Sequence, residues 1–126
     1  MDFVERKIIF HGSNFVNFYL EQSIKVQEKI EYVLRIIRQV ERVSKKFLSP
    51  IEGPDGLYEV RVEYISNIYR IFCCFDEGNI VVLFNGFQKK TQKTPLKEIE
   101  KAIRLKREYF ELKKTQEDER RRNKKR

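Results

Sequence analysis

Tryptophan is absent from the 126-residue chain, and histidine, methionine, cysteine and proline are nearly so, with one, one, two and three copies. Each scarcity excludes something. A zinc or catalytic metal centre needs several Cys or His side chains at set spacings. Here Cys73 and Cys74 are adjacent and His11 stands alone, so no metal and no cofactor is expected. Neighbouring residues on a strand point to opposite faces, and a vicinal disulfide is strained; the two cysteines read as buried apolar thiols. His11 reads as a strand-end or loop residue rather than a catalyst. No apolar run approaches the roughly 18 residues of a membrane span, and the N-terminus carries no signal peptide. Together with the thiols, this predicts a reducing cytoplasm and no membrane partner.

What the chain has in quantity is aliphatic bulk and charge. Hydrophobic residues make up 40 % of it, enough for one domain with a single core, burying about two-thirds of the unfolded chain's surface. The formal net charge is +8, but residues 113–126 alone hold eight cations against three anions. The remainder is only weakly basic, so any nucleic-acid argument rests on where the cations lie and not on their sum. Residues 113–126, KKTQEDERRRNKKR, contain no apolar side chain. They can bury nothing and are expected to form a basic flexible tail behind a domain of residues 1–112.

Hydrophobic periodicity divides that domain into elements. Residues 4–10, VERKIIF, read as a short strand stopped by His11-Gly12-Ser13-Asn14. Phe15, Phe18 and Tyr19 fall at i, i+3 and i+4, which predicts a short helix over 15–22 capped by Ser13 or Asn14. Ser23 caps a longer helix over 24–43. Its apolar stripe is Val26, Ile30, Val33, Ile37 and Val40, and its other face carries Lys25, Lys29, Arg35, Arg38 and Arg42. That basic face is either simply solvated or tracks RNA. Pro50, Gly53, Pro54 and Gly56 make residues 45–56 a loop. Three strand-like runs follow, over 58–64, 68–75 and 80–87. The first alternates apolar and charged residues, which turns Arg61 away from the core side. Asp76-Glu77-Gly78-Asn79 forms a tight turn between the other two, with Gly78 at positive φ. Thr94 caps a last helix opened by Pro95, with Leu96, Ile99, Ala102, Ile103 and Phe110 on its buried stripe. The order β-α-α-β-β-β-α describes an α+β domain, a central antiparallel meander with helices packed on the sheet. Pattern alone does not place the first strand in that sheet.

The end of the meander gathers the useful chemistry. Arg61 and Arg70 lie on neighbouring strands, and Lys89, Lys90 and Lys93 leave the sheet together just before Pro95, a candidate site for a polyanion. Arg70 has two readings: a phosphate ligand, or a buried structural arginine paired with Glu59 or Asp76. For the lysines the alternative is a solvated strand end.

The runs LYEVRV, NIYRIFCCFDEGNIVVLFNGF and QKKTQKTP followed by KEIEKA resemble the phage-derived HigB branch of the RelE/ParE toxin superfamily. The likeness covers Leu57 to Ala102 closely and, in element order, nearly the whole chain. It implies a RelE-like fold and the toxin component of a type II toxin-antitoxin system. Such a toxin is an endoribonuclease, or mRNA interferase, a hydrolase that cleaves translated mRNA on the ribosome and inhibits translation. The implied partners are a cognate helix-turn-helix antitoxin, the ribosome and mRNA, with the chain a monomer or homodimer inside the toxin-antitoxin complex. Carried over by position, the catalytic cations fall on Arg61, Arg70 and Lys90, with Lys89 beside the last; Phe87, Lys89, Thr91 and Lys93 are the candidate RNA-binding residues. Where some relatives have a tyrosine near the start of the final helix, this chain has Leu96. Several HigB proteins use histidines; the sole histidine here, His11, lies outside the matching run.

The implied chemistry needs no metal. RNA is cleaved when its own 2′-hydroxyl attacks the next phosphate, which requires a proton acceptor, cations on the phosphate and a proton donor for the leaving oxygen. Arg61 and Arg70 suit the second task, because a guanidinium stays charged and holds two phosphate oxygens at once. A lysine crowded by cations loses proton affinity and can transfer a proton. Two other readings remain open: a ParE-like protein that binds DNA gyrase and hydrolyses nothing, and a non-enzymatic interaction domain whose basic helix and tail meet an acidic protein. The residues assign neither the general base, nor the general acid, nor a codon preference.

Overall fold

The structure, a computed structural model, describes residues 4–53, 55–90, 93 and 95–124. Its elements are β1 (Lys7–Phe10), α1 (Asn14–Leu20), α2 (Ile24–Gln39), β2 (Leu48–Pro50), β3 (Tyr58–Tyr64), β4 (Asn67–Asp76), β5 (Ile80–Lys89) and α3 (Leu96–Lys124). One sheet has the order β1-β5-β4-β3-β2. Strands β3 to β5 form the expected antiparallel meander, and β2 adds to its edge antiparallel to β3. The first strand, which pattern could not place, runs parallel to β5 from Lys7 beside Ile80 to Phe10 beside Leu83.

Alternation along the strands builds a core on each side of the sheet. Val60, Val62, Tyr69, Ile71, Cys73, Val81 and Leu83 pack with Phe15 and Phe18 of α1 and with Val26, Ile30, Val33 and Ile37 of α2. Phe72, Cys74, Val82 and Phe84 pack with Ala102 and Leu105 of α3. Each large side chain so buried contributes about 1.5–3 kcal/mol. The adjacent cysteines are thereby split between the two cores, both as free thiols. Burial raises the pKa of Cys73 and pushes that of Cys74 up to about 11, which leaves both inert as nucleophiles.

Several local features differ from the pattern reading. The loop over 45–56 contains the short edge strand β2, with Pro50 as its last residue, a position where a missing N–H spoils little of the ladder. Ser13 occupies the N-cap position of α1 without a side-chain bond, whereas Ser23 accepts from Val26 N at the start of α2. The predicted Thr94 cap lies outside the described residues. Helix α2 stops at Gln39. The guanidinium of Arg6 caps its end, donating to Ile37 O at 2.8 Å and Glu41 O at 2.6 Å.

The largest correction concerns the tail. Helix α3 continues through Lys124, where no regular structure was expected beyond Leu112. Extending a helix whose first half is already docked avoids the nucleation penalty. Glu117 and Asp118 stand four residues before Arg121 and Arg122, the spacing and order of stabilising ion pairs. The composition argument still holds at the surface, since every described residue after Lys113 is exposed.

One irregularity positions the site. The β4–β5 ladder shifts register between Ile71 and Cys73, leaving an extra residue on β5. Phe84 joins the α3-side core, and its neighbour Asn85 also turns to α3, donating to Glu98 O at 3.1 Å and Glu98 Oε2 at 2.9 Å. Beyond the bulge Gly86 faces α1, where a Cβ would lie 2.5 Å from a ring carbon of Phe18. Phe87 and Lys89 accordingly fall on the α3 side.

Candidate functional site

Arg61 on β3 is the register partner of Arg70 on β4, and Arg70 is the partner of Phe87 on β5. The three form one row across the sheet, on the face that α3 occupies further along. Helix α3 leaves this end open. Its Glu98 meets Asn85, while Tyr109 and Lys113 meet Asp76 at the opposite end of β4, so the helix runs away from the row. Lys89, opposite Ile68, extends the row's side of β5 by two residues.

Of the two structural partners open to Arg70, Glu59 is the one it meets. The two side chains are only 11 % and 15 % exposed. Asp76, the other candidate, instead accepts from Tyr109 Oη at 2.6 Å and from Lys113 Nζ at 2.9 and 3.0 Å. Burial opposes ionisation of Asp76, but the Tyr109 hydroxyl, the Lys113 ammonium and the Glu77 N–H together outweigh it and hold the carboxyl below its ordinary pKa. The Glu59 pair does not saturate Arg70: its Nε is buried with no hydrogen-bond partner among the described residues. A buried charged donor left unmade costs about 1–3 kcal/mol or more.

Arg61 is more accessible. Its Nη1 lies 3.3 Å from Glu63 Oε2, with 29 % of the side chain exposed. With Lys29, Lys46, Phe47 and Glu63 it lines a groove of about 190 Å³ at the β3 edge.

Lys90 is not in that groove. It lines another, of about 500 Å³, at the outer margin of β5. Arg61 and Lys90 thus flank the end of the sheet on two sides, with Arg70 and Phe87 between them. Lys93 is exposed, and Thr91 lies outside the described residues. His11 is a strand-end residue, 3.3 Å from Glu108 and edge-on to Phe84 and Tyr109. Leu96, at the first position of α3, is 72 % exposed. Among the described residues no cluster of three or more His, Cys, Asp or Glu side chains is arranged to hold a metal ion.

Sequence reasoning names Glu59 only as a structural partner of Arg70. Its parity with Arg61 on one strand already puts both on one face; that it meets Arg70 follows only from the register of β3 on β4. The row therefore presents two guanidiniums and an aromatic ring, with the Glu59 carboxylate one same-face step along the sheet on one side and Lys89 one step on the other.

The family model for Phage derived protein Gp49-like (DUF891) matches residues 17–107 of the chain. That span contains Glu59, Arg61, Arg70, Phe87, Lys89 and Lys90. No curated protein matches the chain.

Proposed function

The chain belongs to the phage-derived Gp49-like family, a family of RelE/HigB-like toxins, and on that premise we propose that it is the toxin of a type II toxin-antitoxin pair, a ribosome-dependent endoribonuclease that cuts translated mRNA. The observation that carries the reading is the register of Arg61 opposite Arg70, which places two guanidiniums side by side on one face of the sheet. Two arginines at neighbouring strand positions, about 5 Å apart in backbone, can share one phosphate group.

In this reading the scissile phosphate lies over the row. Arg61 and Arg70 hold its non-bridging oxygens and stabilise the added charge of the pentacoordinate transition state. Glu59, already against Arg70, accepts the proton of the 2′-hydroxyl as its oxygen bonds to phosphorus. Lys89, on the same side of β5, protonates the leaving 5′-oxygen as the P–O bond breaks, with Lys90 holding a phosphate beside it. The products are a 2′,3′-cyclic phosphate and a 5′-hydroxyl, so atoms and protons balance without a cofactor. Phe87 supplies a ring on which a base can rest. A cognate helix-turn-helix antitoxin would silence the protein by covering this row.

Induction of the chain in a bacterium, followed by mapping of new RNA 5′ ends, tests the assignment. Cuts confined to translated reading frames, and lost in Arg61→Ala with unchanged circular dichroism, are expected. Arrested DNA supercoiling with intact mRNA would replace the assignment with gyrase inhibition, and equally rapid cutting of naked RNA would remove the ribosome from it.

A further inference from the structure

The groove at the outer margin of β5 is the largest of the described grooves, and its lining differs in kind from the arginine row. Its polar lining is Asn14, Asn17, Glu21 and Gln22 on the α1 side, Gln88 and Lys90 at the end of β5, and Lys101 of α3, so two ammonium groups face one carboxylate. Strand β1 stops opposite Leu83 while β5 runs on to Lys89, so the floor is a sheet margin without a strand neighbour among the described residues. The close approach of Phe18 to Gly86 sets the wall. Four carboxamides in one groove are not needed for the core. Gln22 donates to Phe18 O and Gln88 to Asn67 Oδ1, and for Asn14 and Asn17 no side-chain hydrogen bond occurs among the described residues.

A carboxamide carries a donor and an acceptor side by side, the complement of a nucleobase edge, and pairs with one in two hydrogen bonds. Lysines of the kind present here hold phosphate without regard to sequence. At about 500 Å³ the groove is in the range that encloses one small organic ligand. Phe87 belongs both to its lining and to the catalytic row, so a strand whose phosphate lies over Arg70 has its neighbouring nucleotide at this opening. We propose that this groove is a base-reading subsite, in which Asn14 and Asn17 select one nucleotide flanking the cut while Lys90 and Lys101 hold the adjoining phosphates. The proposal rests on the RNA-cleaving reading and adds its sequence preference.

Two measurements separate the proposal from its premise. The first compares cleavage-site sequences on total mRNA for the wild type and for Asn14→Ala/Asn17→Ala. One flanking position should show a base preference in the wild type that falls about tenfold in the variant, the discrimination of one bidentate amide–base pair at ~1.4 kcal/mol. The second measures binding of four short oligoribonucleotides, identical except at one position, to the Glu59→Gln protein with and without the two alanines. It reads discrimination without any cutting. The exposed position of Asn17 on α1 tolerates alanine, and circular dichroism confirms the fold. A wild type that cuts with a flanking preference unchanged by both alanines overturns the subsite alone, as does oligonucleotide binding that discriminates equally well without the amides. No cutting by the wild type, with amide-dependent discrimination intact, overturns the nuclease and keeps the subsite.

Discussion

At the scale of single residues, the proposed reaction turns on Glu59. Glu59→Gln keeps a hydrogen-bond acceptor for Arg70 while removing proton affinity from the reaction, so the expected result is a folded protein whose cleavage rate falls by about 10²- to 10⁴-fold. The rate is read on ribosome-bound mRNA, with melting temperature as the control; retention of wild-type rate would move the base elsewhere. A second residue has nothing to do with the reaction. Ile65 and Ser66 turn the β3–β4 hairpin with φ of 42° and 64°, the left-handed geometry of a tight hairpin turn. A β-branched side chain there is strained by about 1–3 kcal/mol, and Ile65 recovers little by burial, being 74 % exposed. Ile65→Gly should therefore stabilise the domain by about 1 kcal/mol and raise the melting temperature by about 4 °C. The left-handed geometry of this turn was illegible in sequence because Ile65-Ser66-Asn67 contains no glycine, whereas Gly78 announced the other turn and does sit at a φ of 62°.

At the scale of elements, what periodicity reaches was legible and what depends on register was not. Strand β3 was read to the residue because its alternation is strict, and the stripe of α2 because four of its apolar positions, Val26, Ile30, Val33 and Ile37, are fully or nearly fully buried. The three-residue β2 is too short to show a period. Opposition of Arg61 and Arg70 and the pairing with Glu59 needed the offset of one strand on the next. The clamp joining α3 to the turn of β4 and β5 was equally hidden, being made of residues more than thirty positions apart: Asp76 with Tyr109 and Lys113. Because the folded-state pKa of Asp76 is depressed from 3.8, its ionised form contributes stability above that value, and the contribution disappears as pH falls through the lower folded pKa. Asp76→Asn should accordingly melt several degrees below the wild type at pH 6–7, with the gap closing as the pH falls below 3.8 and through the lower folded value. A gap independent of pH would show that packing of Tyr109, not the charge, ties the helix down.

At the scale of the whole molecule, charge and fold are divided along the chain. The packed domain is a sheet between two cores, with Arg61, Arg70, Lys89 and Lys90 at one end of that sheet. Residues 113–126 hold eight cations against three anions, +5 of the formal +8, and the described residues of α3 after Lys113 are all exposed. Composition foretold the exposure but not the helix, since a segment that cannot fold alone still propagates from a docked one. Such an arm stabilises little. Ending the chain at Lys114 removes six cations and three anions but keeps the ion pair of Lys113 with Asp76, so the melting temperature should stay within about 2 °C. If the target is the ribosome, the arm acts through its phosphate surface. For every phosphate that the shortened chain no longer neutralises, the log-log salt slope of binding should become shallower by roughly 0.7–0.9, a scale taken from simple nucleic acids. Cleavage at saturating ribosome concentration should persist, because Glu59, Arg61, Arg70 and Lys89 all lie outside the deletion. Ribosome affinity measured between 50 and 200 mM salt decides the matter. A truncation with unchanged affinity and slope would make the arm irrelevant to the ribosome, and the basic face of α2, with Lys25, Lys29, Arg35 and Arg38, would be left to supply the attraction.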